Sequence, residues 1–113
     1  MKSIVAYIQP FMLEKVAAAL RAKKVHGVTV MACQGFGRSR ERNTSHYEDE
    51  AVELGYAPKV KIEIVCPDES ALAMVQMIRE SAHTGRHGDG KIFVTEVTCA
   101  VDIRTGEEGE AVL

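Results

Sequence analysis

Between residues 59 and 65 charged and apolar side chains alternate without a break. Lys59, Lys61 and Glu63 fall on one side, and Val60, Ile62 and Ile64 on the other. Successive side chains of a strand point to opposite faces, so a period of two predicts a strand with one dry face and one polar face. Any fold built around this segment must supply apolar cover to one side of a sheet.

The flanking sequence supplies that cover. Residues 3–8 form a short β-branched and apolar run, closed by Gln9 and Pro10. Pro10 suits the first turn of a helix, where its missing N–H costs nothing. Leu13, Val16, Ala17 and Leu20 then recur at helical spacing, and Gly27 follows as a stop signal. Residues 28–33 read as a second strand. After residue 65, Asp68 is placed to cap a second helix with Glu69 in its first turn, and Leu72, Val75, Ile78 and Ala82 would form its buried stripe. Residues 91–99 read as the last long strand, and residues 101–104 as a short extended stretch. The order is strand, helix, strand, strand, helix, strand. It predicts an α+β fold of the ferredoxin-like split βαβ type (βαββαβ), an antiparallel sheet with two helices on one face. One such domain fills residues 1–113. At 113 residues the chain buries only about two thirds of its unfolded surface, so copies of the chain are expected to cover the other sheet face.

Charge and cysteine usage narrow the function. A formal net charge of −2 and a pI near 6.1 argue against a nucleic-acid partner, which would leave a basic footprint. No segment approaches the ~20 apolar residues of a membrane span, so direct membrane insertion is not expected. The N-terminus enters a strand pattern directly, without the features of a signal peptide. Cys33, Cys66 and Cys99 are widely spaced, each near the end of an apolar run. They read as buried structural thiols in a reducing compartment, the cytoplasm.

A long connection, about residues 36–58, separates two strands that would otherwise pair. It is polar, with Arg38, Arg40 and Arg42 at its start and Glu48, Asp49, Glu50 and Glu53 further on. A connection of this length inside a compact domain is usually functional or disordered. Gly35-Phe36-Gly37-Arg38 opens it, and Thr84-Gly85-Arg86-His87-Gly88-Asp89-Gly90-Lys91 precedes the last strand. Glycines allow left-handed turns whose successive N–H groups cradle phosphate oxygens, and Arg86, Lys91 and Arg104 add cations. Each segment alone reads equally well as a simple turn. Together they favour an anion or a nucleotide, through neither the P-loop nor the Rossmann fingerprint.

Gln9-Pro10-Phe11, Gly27-Val28-Thr29-Val30, Gly35-Phe36-Gly37-Arg38, the segment from Pro58 to Val65, Thr84-Gly85 with Gly88 to Val94, and Ile103-Arg104-Thr105-Gly106-Glu107 resemble the motifs of the nitrogen regulatory P-II family. The resemblance covers the chain except residues 39–57. It implies a homotrimer with ATP or ADP in clefts between subunits. Thr29, Gly35, Gly37, Arg38, Ile64, Gly88, Asp89, Gly90 and Lys91 would then bind the nucleotide, with Arg104 reaching over from a neighbour. It also implies a long loop, including Ser39, Arg40 and Tyr47 and ending near Lys59. In the family this loop responds to nucleotide and 2-oxoglutarate and docks on enzymes, transcriptional regulators or membrane transporters.

Three departures from the family pattern stand out. Ser39 replaces the glutamine that helps hold magnesium and 2-oxoglutarate, which argues against that metal–oxoacid site. The loop lacks the tyrosine modification motif, so uridylylation is not expected. Asp102 stands where an arginine is usual. Aimed at a nucleotide it would repel phosphate, by roughly 4 kcal/mol at about 4 Å near a surface and ~1 kcal/mol in water, favouring ADP or AMP over ATP.

His26, His46, His83 and His87 read as solvated or capping groups rather than a metal site. The expected function is nucleotide-sensing signal transduction controlling nitrogen metabolism or a transporter, with no catalytic residues. An enzyme is disfavoured by the absence of a nucleophile–base motif. The remaining alternative is a metal-tolerance-associated or nucleotide-independent trimeric interaction protein.

Overall fold

The computed structural model describes residues 1–37 and 56–113. Strand β1 (Lys2–Ile8) leads through a 3-10 turn (Pro10–Met12) into helix α1 (Leu13–Ala22). Then follow β2 (Thr29–Gly35), β3 (Ala57–Cys66), helix α2 (Asp68–Ala82), β4 (Gly90–Glu96) and a closing 3-10 turn (Glu110–Val112). The strands form one antiparallel sheet in the order β2-β3-β1-β4. This is the ferredoxin-like arrangement, with β1 and β3 at the centre.

Register explains the core. Ile4 lies opposite Ile64, Ala6 opposite Ile62 and Ile8 opposite Val60, so these side chains share one sheet face. Val16 and Leu20 of α1 and Ile78 and Ala82 of α2 complete the cluster over them. Fully burying each branched aliphatic side chain is worth about 1.5–3 kcal/mol. The other face carries Lys59, Lys61, Glu63 and Val65, as the alternation predicts. It also carries Tyr7, Met31 and Phe93, which are exposed in the single chain.

Several elements differ from the sequence reading. Leu72 is 70% exposed, while Ile78 is wholly buried. The α2 stripe runs through Ala71, Ile78, Ser81 and Ala82, with Val75 half-buried. Asp68 is the first helical residue rather than the cap, which is Pro67 in extended geometry. The Asp68 carboxylate instead takes the Met1 ammonium at 2.9 Å. The chain turns after α1 at Lys24, in the left-handed region with φ 57°, before Gly27 at φ 68°. β3 starts at Ala57, so the long connection spans 36–56. Pro58 is tolerated there because it lies beyond the last pair with β1, Ile8 with Val60. β4 stops at Glu96, and residues 101–104 belong to a turn-closed hairpin rather than an extended stretch. Of the cysteines only Cys66 is buried, and burial pushes its thiol pKa up. Cys33 is half-buried and Cys99 exposed. No helix among the described residues is long and apolar enough to cross a membrane.

Candidate functional site

The ends of β1 and β2 and the starts of β3 and β4 meet at one end of the sheet. Gly35 pairs with Ala57 there, and Ile8 lies between Val60 and Gly90. The glycine segment after α2 packs onto this end through one carbonyl. Gly88 O accepts from the Gln9 side-chain amide at 2.5 Å and from the Lys59 ammonium at 3.4 Å. Gln9 is itself buried. Three separate stretches of sequence are thereby tied to one atom.

Asp89 folds the segment internally. Its carboxylate accepts from the Thr84 amide at 2.8 Å, the Gly85 amide at 3.0 Å and the Thr84 hydroxyl. Partial burial opposes its ionisation, but the hydroxyl and the two amides outweigh it and hold the carboxyl below the usual carboxylate range. Asp89 therefore organises the loop from within. Gly85, Gly88 and Gly90 all have positive φ. At Gly90 the requirement is absolute, because a Cβ would lie 1.7 Å from the Tyr7 carbonyl oxygen.

On the face away from the helices, Tyr7 lies in register between Lys61 and Lys91. Its ring meets Phe93 edge-on at 6.3 Å. Lys61 also pairs with Glu63 at 3.6 Å. On the opposite, helix-covered side, a cleft of about 330 Å³ opens between α2 and the β1–β4 strands, lined by Tyr7, Ile8, Ile78, Arg79, His83 and Lys91 among others. Phe36 and Tyr56, at the two ends of the long connection, also meet edge-on at 5.5 Å.

The structure thus brings Gly35, Gly37, Lys59, Gly88, Asp89, Gly90 and Lys91 to one end of the sheet. Ile64 is not with them. It is 1% exposed and belongs to the core on the helix side. Val65, one residue on, shares the face of Lys59 and Lys61, which the period of two would have shown. Thr29 lies further back, opposite Glu63, and Arg104 sits in the C-terminal hairpin. Arg38, Ser39, Arg40 and Tyr47 lie outside the described residues. Gln9, Lys61 and Thr84 are not among the binding residues expected from sequence; Thr84 could have been, as a hydroxyl five residues before an aspartate in a glycine-rich turn. Asp102 turns its carboxylate into its own hairpin, where it accepts from the Thr105 amide at 2.9 Å. Among the described residues no group of three or more His, Cys, Asp or Glu side chains could hold a metal ion.

A ferredoxin-like sheet with glycine turns and lysines gathered at one end is a small α+β module chemically suited to an anion. The family model for nitrogen regulatory protein P-II matches residues 1–107. A nitrogen regulatory protein P-II of Rhizobium meliloti (strain 1021) is 46% identical over 109 residues, covering 96% of each chain. Nitrogen regulatory protein P-II 1 of Escherichia coli (strain K12) is 44% identical over 113 residues, the full length of both. The crystal structure of Arabidopsis thaliana PII bound to citrate superposes with a TM-score of 0.80 at 34% identity, covering 97% of this chain and 89% of that one. The chain belongs to the nitrogen regulatory protein P-II family.

Proposed function

We propose that this protein is a signal transducer that binds ATP or ADP, with AMP a weaker candidate, and passes the bound state to a partner enzyme or transporter through residues 36–56. The observation that carries the reading is the Gly88 carbonyl held by Gln9 and Lys59. That contact ties the glycine segment, which leads into Lys91, to the base of the long connection. A phosphate bound by the segment would change the contacts of Lys59 directly. Binding energy at one place is then available to bias the connection, as a ligand-driven switch requires.

Thr29 and Arg104 lie away from this cluster on the same chain. A complete nucleotide site is therefore built when a second copy brings them in, which matches a homotrimer with sites between subunits. The exposed Tyr7, Met31 and Phe93 supply apolar surface for that assembly. The relatives' regulatory names favour a regulator over an enzyme, and the compartment consistent with three free cysteines is the cytoplasm. Ser39 lies where a metal–oxoacid site would need an amide, so 2-oxoglutarate with magnesium is left out of the proposal.

Calorimetric titration with ATP, ADP and AMP tests the reading, using wild-type protein and Lys91→Met. Micromolar binding at one site per chain, weakened in the variant, supports it. Equal binding by wild type and Lys91→Met would place any nucleotide elsewhere.

A further inference from the structure

The segment after β4 folds back as a small hairpin. Gly109 N–H donates to the Ala100 carbonyl at 2.9 Å, and Val101 bridges to Glu108. Asp102 dominates the turn that closes it. Its amide donates to the Glu107 carbonyl at 2.8 Å, and its carbonyl accepts from the Gly106 amide at 2.8 Å. Its Oδ1 accepts from the Thr105 amide at 2.9 Å. The Thr105 hydroxyl in turn accepts from the Glu107 amide at 3.2 Å, and Gly106 takes the left-handed φ of 74° that reverses the chain. Asp102, Thr105, Gly106 and Glu107 are fixed this way, and Ile103 and Arg104 stand out at the tip, both exposed.

We propose that Asp102 is a positioning residue: its carboxylate ties down the turn that carries Arg104, and so sets how well that guanidinium engages the phosphates of a nucleoside di- or triphosphate. This rests on the nucleotide reading above. It replaces the expectation that Asp102 repels phosphate directly, because the carboxylate points into the turn and is committed to a backbone donor there. Backbone donors and the Thr105 hydroxyl also keep this carboxyl below the ordinary aspartate range, as a committed acceptor should be. A turn residue that accepts from an amide two or three positions on fixes local backbone in the manner of a helix cap. Without that acceptor the tip samples other shapes, and apparent affinity falls with the fraction that remains competent.

Two substitutions separate position from charge. Asp102→Asn keeps an oxygen acceptor for Thr105 N–H and removes the charge; Asp102→Ala removes both. ATP and ADP are titrated into wild type and both variants, with hydrogen exchange at the Thr105 and Gly106 amides and the melting temperature recorded alongside. Asp102→Asn should bind both nucleotides within about twofold of wild type, with the ATP/ADP ratio unchanged. Asp102→Ala should weaken both by about ten-fold, with faster exchange at the two amides and a melting temperature only a few degrees lower, as loss of one turn acceptor gives. Two outcomes overturn the proposal: a rise in ATP affinity relative to ADP in both variants, which would mean the charge acts on the ligand, or wild-type affinity in Asp102→Ala. A wild-type protein that binds neither nucleotide overturns the nucleotide reading, and this proposal with it.

Discussion

Gly90→Ala tests how tightly the glycine segment is set against the sheet. An added Cβ would lie 1.7 Å from the Tyr7 carbonyl oxygen and 2.9 Å from the Tyr7 carbonyl carbon. A carbon–oxygen contact needs about 3.3 Å, so β4 must withdraw from β1 by roughly 1.6 Å at this point. Adjacent strands sit only about 4.8 Å apart, and a shift of that size breaks the first ladder bonds, each worth about 1 kcal/mol net. The φ of 117° adds strain of about 1–3 kcal/mol for any residue with a side chain. The sum is about 3–5 kcal/mol, a large part of a typical 5–15 kcal/mol stability. For a domain of this size that corresponds to a fall in melting temperature of about 12 °C or more. Gly106→Ala is the control: it has a φ of 74° but nothing within 4 Å of the added carbon, so it meets only the left-handed penalty of about 1–2 kcal/mol. Thermal unfolding followed by circular dichroism reads both. A Gly90→Ala variant that melts within about 2 °C of Gly106→Ala would refute the steric argument.

The remaining predictions are shorter. Ile78→Ala should lose about 2–5 kcal/mol in denaturant unfolding, whereas Leu72→Ala on the same helix should stay within about 0.5 kcal/mol; equal losses would contradict the observed α2 stripe. Asp68, Asp89 and Asp102 all have depressed carboxyl pKa values. Their contribution is therefore present above the unfolded value of about 3.9 and lost as pH falls through the lower folded values; acid unfolding in Asp89→Asn should show a shallower loss across that window than wild type. The Met1 ammonium is raised by its hydrogen bond to Asp68, so its contribution runs the other way, present below the unfolded value and lost as pH rises through the folded one. An N-terminally acetylated protein should lack that alkaline arm. Lys91→Ala should weaken ATP more than AMP and flatten the salt dependence of ATP binding, because it removes a charge from the phosphate end.

Much of this fold follows from two periods. The alternation at residues 59–65 placed Val60, Ile62 and Ile64 in the core, and helical spacing found Val16, Leu20 and Ile78. What the pattern missed has physical causes. Leu72 is as apolar as Ile78, and only the crossing of α2 over the sheet decides which one is covered. Asp68 reads as a cap from its own residue type, but the pairing of Lys2 with Cys66 brings the Met1 ammonium beside it to claim it. Within the site, Gly88, Asp89, Gly90 and Lys91 were legible as a cluster because they are contiguous. Gln9 and Lys59 were not linked to Gly88, since that meeting depends on register between β1, β3 and β4. Ile64 was assigned by resemblance, and the strand's own alternation puts it on the wrong face. By residue type Asp102 suggests a charge facing a ligand; its acceptor role depends on the turn to Gly106, which the sequence does not display.

Native mass spectrometry across an ATP and ADP titration tests the central claim most directly. The account predicts a particle of three 12.4 kDa chains that fills to three nucleotides, with Thr29 and Arg104 of each chain completing a neighbour's site. A single chain that binds nucleotide on its own, or a three-chain particle that takes up none at micromolar concentration, would contradict it.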